Sequence, residues 1–180
     1  TLFARSEFKG GNQGQDNFNL NFFHTIEKNN KNVLGFKKSD GKFKGFTWFI
    51  NENETSNNKI IFDKSFTNID IDNFIISHED QKIEFEGFVR EKQQKDLKLS
   101  FENVDLAKVL PSINDLKIEG ELNGGVRLVQ KGERFQPTSN LRVSDLTLNQ
   151  ILLGQLNVDV LGDQNLKSFS VKSSTFVLIP

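Results

Sequence analysis

His24 and His78 are the only imidazoles of this 180-residue chain, and there is no cysteine. An imidazole serves as a general base or a metal ligand only where partner groups converge on it. His24 shares the strand parity of Leu20, Phe22 and Ile26, which directs it to an apolar side. His78 falls in His78-Glu79-Asp80-Gln81, a polar stretch that reads as a surface turn. Carboxylates recur two residues apart, at Asp70 and Asp72, Glu84 and Glu86, Glu119 and Glu121. Two carboxyls facing each other across a sugar perform glycoside hydrolysis. These alternate with apolar residues instead, and read as the solvated outer face of strands, where charge also discourages edge-to-edge aggregation. No Gly-x-Ser-x-Gly elbow is present. Residues 9–17 are Gly-rich but lack the Gly-Lys-Ser/Thr ending of a phosphate loop, and read as a turn. Asn53-Glu54-Thr55 fits a glycosylation sequon, a pattern common by chance. These residue types imply no catalytic constellation, so the expectation is a non-enzymatic protein with no cofactor and no metal.

Charge excludes one class of partner. Residues 1–90 carry 12 basic and 13 acidic side chains and residues 91–180 carry 11 of each, for a formal net charge of -1. Neither half forms a basic platform, so nucleic acid is not an expected partner. No run of 18 apolar residues spans a membrane, and residues 1–20 lack a signal-peptide pattern. The apolar end Phe176-Val177-Leu178-Ile179 reads as a cut from a longer polypeptide. Phe occurs 18 times, 14 of them before residue 91, while Tyr and Met are absent. Such crowding implies a wide apolar surface in the first half.

The elements that must carry that surface are strands. Apolar residues recur at every second position in Phe18–Ile26, Ile83–Val89, Leu97–Phe101 and Leu116–Leu122. The same period runs through Val126 and Leu128, Leu141 and Val143, Leu146 and Leu148, Leu156 to Val160, Leu166 to Val171, and Phe176 to Ile179. Val33–Lys37 and Phe43–Ile50 read as a hairpin across Ser39-Asp40-Gly41. Asn123-Gly124-Gly125 reads as a further turn, and residues 51–58 as a loop. Ile60–Asp63 begins another strand. The phase change from Ile69 and Ile71 to Phe74 and Ile76 predicts a β-bulge. Gly45, Gly87, Gly120 and Gly154, within or beside strands, mark bends or close backbone approach. One short helix is expected, with Asp105 capping Leu106–Leu110 and Pro111 ending it. The fold class is therefore all-β, with neighbouring strands antiparallel.

Two phrases carry a family resemblance. One is Phe101-Glu102-Asn103-Val104-Asp105-Leu106-Ala107-Lys108-Val109-Leu110, followed by Leu116-Lys117-Ile118-Glu119-Gly120-Glu121-Leu122-Asn123-Gly124. The other is Asn140-Leu141-Arg142-Val143-Ser144-Asp145-Leu146-Thr147-Leu148-Asn149, then Leu153-Gly154-Gln155-Leu156-Asn157-Val158-Asp159-Val160. With these, residues 66–172 resemble the TamB-like translocation and assembly module family, related to AsmA-like proteins of Gram-negative envelopes; residues 1–60 match less well. The resemblance implies a long antiparallel sheet curled into an open, apolar trough with at most one short helix, residues 1–180 being one internal segment of a longer protein. It implies bridge-type phospholipid transport across the periplasm, with acyl chains as ligand. It also implies an inner-membrane anchor outside this chain and a linked role in outer-membrane protein assembly with a BamA-like barrel partner.

The groove lining expected from parity is Ile83, Phe85, Val89, Leu97, Leu99, Leu116, Ile118, Leu122, Leu141, Val143, Leu156, Val158 and Val160. The alternative is a closed β-sandwich acting as an adhesion or scaffold module for glycan or protein. Either reading requires a β-dominated far-UV circular dichroism spectrum. Helix content near about a third, usual for globular proteins, would overturn the fold class.

Overall fold

The computed structural model describes residues 1–11, 14–55, 58–111, 116–165 and 167–176. Its strands are β1 (Leu2–Gly10), β2 (Asp16–Ile26), β3 (Asn32–Phe36), β4 (Ser39–Phe43), β5 (Phe46–Ile50), β6 (Lys59–Phe62), β7 (Asn68–His78), β8 (Gln81–Arg90), β9 (Gln94–Asp105), β10 (Ile118–Lys131), β11 (Arg134–Leu148), β12 (Ile151–Gly162) and β13 (Phe169–Phe176). A single helical turn, α1 (Leu106–Val109), joins β9 to β10, with the Asp105 carboxylate accepting the Ala107 N–H at 2.9 Å as its cap. All thirteen strands belong to one antiparallel sheet. β1 and β13 bound it and do not pair with each other, so the sheet is an open trough and not a barrel.

The topology is a plain meander once two broken strands are recognised. β3 and β4 lie end to end along β2, with Phe36 opposite Phe22 and Asp40 opposite Asn19. β5 and β6 lie end to end along β7. Each sheet neighbour is thus a chain neighbour, and short polar turns suffice to connect them.

Buried polar groups mend the two breaks. Asn21 N–H donates to Ser39 Oγ at 2.9 Å, and Ser39 Oγ donates to Lys37 O at 2.8 Å. Phe36 N–H donates to Asn58 O at 2.9 Å, Asn58 N–H to Asp72 O at 3.0 Å, and Ile75 N–H to Asn58 Oδ1 at 2.7 Å. Asn51 Nδ2 donates to Phe36 O at 2.7 Å. Ser39 and Asn58 are each 1% exposed. An unpaired buried amide costs about as much as a lost hydrogen bond, so these side chains replace the missing ladder.

Three bulges share one sequence form. Ile71-Asp72-Asn73-Phe74, Phe101-Glu102-Asn103-Val104 and Val143-Ser144-Asp145-Leu146 stand on β7, β9 and β11. Asn73, Asn103 and Asp145 have φ of 39, 53 and 52°, and the pairing register shifts at each. Asn and Asp tolerate this left-handed backbone better than other non-glycine residues. The extra residue lets apolar neighbours three apart stay on one face while the strand bends. The bulge expected between Ile71 and Phe74 is therefore present, with two companions.

Two expected turns are elsewhere. Ser39-Asp40-Gly41 lies inside β4, with Asn19 Nδ2 donating to Asp40 Oδ2 at 3.0 Å. The hairpin turns at Lys44-Gly45, whose φ values of 50 and 88° suit a two-residue turn between antiparallel strands. Asn123-Gly124-Gly125 runs straight through β10. Glycine is needed at 124 because a Cβ there would lie 1.9 Å from the carbonyl oxygen of Asn140 on β11. β1 is a strand that period-two alternation did not assign. Leu166 and residues 177–179 of the expected final strands, and residues 12–13 of the Gly-rich turn, lie outside the described residues. Replacing Asn58 by Ala strands the Ile75 amide, and urea unfolding should show a loss of about 1–3 kcal/mol.

Candidate functional site

Directly paired residues share a face, so the register defines what each side of the sheet presents. One row runs Ser39, Ile50, Ile76, Ile83, Phe101, Gly124, Leu141, Val158, Ser173 across nine strands. A second runs Leu2, His24, Leu34, Ile60, Ile71, Gly87, Leu97, Leu128, Pro137. A third runs Phe74, Phe85, Leu99, Val126, Ser139, Val160, Val171. At roughly 4.8 Å per strand, the first row is about 38 Å long. Aromatic contacts thicken its first half, with Phe36 edge-on to Phe74 at 5.2 Å and Phe8 stacked on Phe18 at 4.8 Å.

This apolar face is largely uncovered. Among the described residues the buried large hydrophobics are Trp48, Val104 and Val143 on this face, Leu106 in α1, and Val33 on the opposite face. The chain exposes 11891 Å², where a compact monomer of this mass would expose about 8,900 Å². A second layer would bury the excess, and none of the described elements supplies one.

The opposite face carries paired charges across its middle strands, and in the first half also Phe3, Phe23, Val33, Phe49 and Ile61. Lys98 pairs with Glu86 at 2.8 Å, Lys82 with Glu84 and Glu102 at 3.3 and 3.1 Å, and Arg90 with Asp70. Arg127 grips Asp96 through two hydrogen bonds of 2.7 and 2.6 Å, which hold that carboxyl below its ordinary range. Asp70, Glu84 and Glu86 of the suspected carboxylate pairs are thus matched with cations, consistent with an outer strand face.

α1 lies against the apolar face at one rim. Val104 is fully buried where β9 leads into it, and Leu106 is 8% exposed. Lys44, in the β4–β5 turn, donates to the carbonyls of Ala107 and Leu110 at 2.6 and 2.9 Å. Beside this bridge stands His78, which corrects the surface-turn expectation: it is buried. Its Nδ1 donates to Thr47 O at 2.7 Å, leaving Nε2 to accept from Lys108 Nζ at 3.2 Å. Its ring lies 5.2 Å from that of Trp48. The turn proper is Glu79-Asp80, and His78 is the last residue of β7, on the apolar face. His24, on the same face, meets Asn32 Oδ1 at 3.0 Å. No metal-binding cluster of three or more His, Asp or Glu residues occurs among the described residues.

Of the expected lining residues, Ile83, Phe85, Val89, Leu97, Leu99, Ile118, Leu122, Leu141, Val143, Leu156, Val158 and Val160 all fall on the apolar face by register or by strand parity with it. Leu116 precedes β10, is 38% exposed, and borders a recess with Ala107, Leu110 and Lys44 instead of joining a row. Sequence reasoning did not name the first-half lining, Phe18, Leu20, Phe22, Phe36, Trp48, Ile50, Phe74 and Ile76. The crowding of Phe before residue 91 was the signal for it.

The fold and site define a single-layer antiparallel β-trough, apolar on one face and charge-paired on the other. No protein-family model, curated protein or solved structure matches the chain.

The open face and the α1 rim should respond differently to charge. Val104→Asp places a carboxylate in a site with no exposure, and thermal unfolding should show a loss of several kcal/mol or no fold at all. Val158→Asp lies on the uncovered face and should cost about 1 kcal/mol or less.

Proposed function

We propose that this chain is a trough segment of a TamB-like bridge protein that carries phospholipid acyl chains between the inner and outer membranes. The carrying observation is the uncovered apolar face, continuous through direct cross-strand pairs from β4 to β13. Contiguous apolar patches on soluble monomers are rarely larger than a few hundred Å², and larger ones mark binding surfaces. A hydrocarbon tail laid on these rows leaves water at about 0.8 kcal/mol per methylene, and needs no hydrogen-bonding groups from the floor. The charge-paired outer face stays hydrated meanwhile. The resemblance of residues 66–172 supplies the setting: periplasm, an inner-membrane anchor outside this chain, and a BamA-like barrel as the outer-membrane assembly partner. A single layer favours this reading over a closed sandwich, whose two sheets would bury each other's apolar faces.

The test is photocrosslinking from a benzoylphenylalanine at Leu122, in cells and on the purified chain with phospholipid vesicles. Phospholipid adducts are expected with the native sequence. Ile118→Asp sets a carboxylate on the same strand face, and should leave the chain folded while adducts fall to background. A folded native chain that yields no lipid adduct would refute the proposal.

A further inference from the structure

The trough is roofed at one place, and we propose that this place is a station for a single acyl tail of a phospholipid, clipped shut by Lys44. The inference rests on the trough reading and names a discrete site within it. Phe18, Trp48, Ile50, Ile76 and Ile83 form a floor on the apolar face, and Val109 of α1 joins them in lining a half-open pocket of about 250 Å³. An apolar cavity of roughly 150 Å³ stays dry and takes a six-carbon ring. By proportion this one holds about ten carbons of one chain, too few for two tails. It is not sealed. Ile50, Ile76 and Ile83 belong to the row that continues to Phe101 and Leu141, so the second tail and the headgroup remain outside.

The roof is short and is tied down by two lysines, one of them its own: Lys108 Nζ donates to His78 Nε2 at 3.2 Å. α1 has four residues, and its last carbonyls have no intrahelical partners. Lys44 supplies them across the trough, with an ammonium donating to Ala107 O at 2.6 Å and to Leu110 O at 2.9 Å. Cations at a helix C-terminus are favoured by its dipole. The turn that carries Lys44 is itself tied down, because Lys44 N–H donates to Asp16 Oδ1 at 3.0 Å. Lys44 is therefore a latch between two elements far apart in the chain, and releasing it leaves the only described element that covers this floor on the single remaining tie from Lys108 to His78. The site then loads when the latch is open and retains its tail when it is closed.

Trp48 is the chain's single tryptophan and lines this pocket, so it reports occupancy without a label. The experiment mixes the whole chain with vesicles of phosphatidylcholine carrying dibrominated acyl chains, and with unbrominated vesicles as control. Trp48 fluorescence should be at least halved by the brominated lipid and unchanged by the control. Val109→Asp should abolish quenching while lipid crosslinks from Leu122 persist. Should Val109→Asp fail to fold, Lys44→Ala leaves Val109 and the pocket floor in place, and stopped-flow should show quenching set in about tenfold faster or more, the effect of two charge-assisted hydrogen bonds lost. Leu122 crosslinks with unquenched Trp48 would overturn the station and leave the trough reading standing. Loss of both signals would overturn the trough reading itself. Quenching that sets in at an unchanged rate in Lys44→Ala would overturn the latch.

Discussion

A sheet without a second layer must keep its apolar side chains on one side through every bend, because no other surface will shelter a misplaced one. A one-residue slip in a strand moves every later side chain to the other face. This sheet bends along its strands, so the slip has to be absorbed where it arises. β7, β9 and β11 absorb it with Asn73, Asn103 and Asp145 in left-handed backbone. Ile71 and Phe74, Phe101 and Val104, Val143 and Leu146 then remain on the apolar face although they are three apart. Gly87 and Gly120, on β8 and β10 between these strands, take φ of 139 and 138°. A Cβ at Gly87 would meet the Asp96 carbonyl oxygen at 2.0 Å, and one at Gly120 the Ser144 carbonyl oxygen at 2.9 Å. The curl of the trough is thus written into small and Asx residues, not into the apolar ones that line it.

The stabilisation of such a sheet differs from that of a two-layer domain. Few large side chains are buried, so cross-strand pairs carry more of the load, each contributing about 0.2–1 kcal/mol. On the outer face the ion pairs are partly solvated and contribute little singly. Arg127 with Asp96 has the most specific geometry of them, two parallel hydrogen bonds. What the polar face does secure is register and solubility. Lys82, sitting between Glu84 and Glu102, would lose one partner if β9 slipped on β8.

The alternation of Ile83, Phe85, Val89 with Leu97 and Leu99, and of Leu141, Val143 with Leu156, Val158, made both the fold class and the second-half lining readable, because period two is a direct image of strand geometry. The α1 turn was readable for a different reason: Asp105 and Pro111 are local start and stop signals. The first half hid its strands where polar residues fill structural places. Ser39, Asp40 and Asn58 look like turn formers, yet Ser39 and Asn58 are buried at strand breaks and Asp40 pairs with Asn19. Lys44-Gly45 gives a weaker turn signal than Asp40-Gly41, but its backbone takes the positive φ at both residues. His78 was misplaced because its burial comes from Trp48 and from Lys108 of α1, both distant in sequence. The Lys44 latch joins residues more than sixty apart, and no local pattern announces such a pair.

An apolar face left open has a thermodynamic consequence that ties fold to occupancy. The excess surface is exposed in the empty chain, and whatever covers it adds to the stability of the folded state by mass action. A tail lying across the rows would pair with strands of both halves at once, since the first row runs from β4 to β13. It would therefore do in part what a second sheet does in a sandwich. The lining needs no chemical specificity for this, and the Leu, Ile, Val and Phe that compose it offer none: any hydrocarbon of the right width satisfies them. Discrimination, where the trough has any, must come from shape, and shape changes abruptly only at the rim. There a four-residue helix, tied to the strand ends by Lys44 and by its own Lys108, overhangs an otherwise open surface.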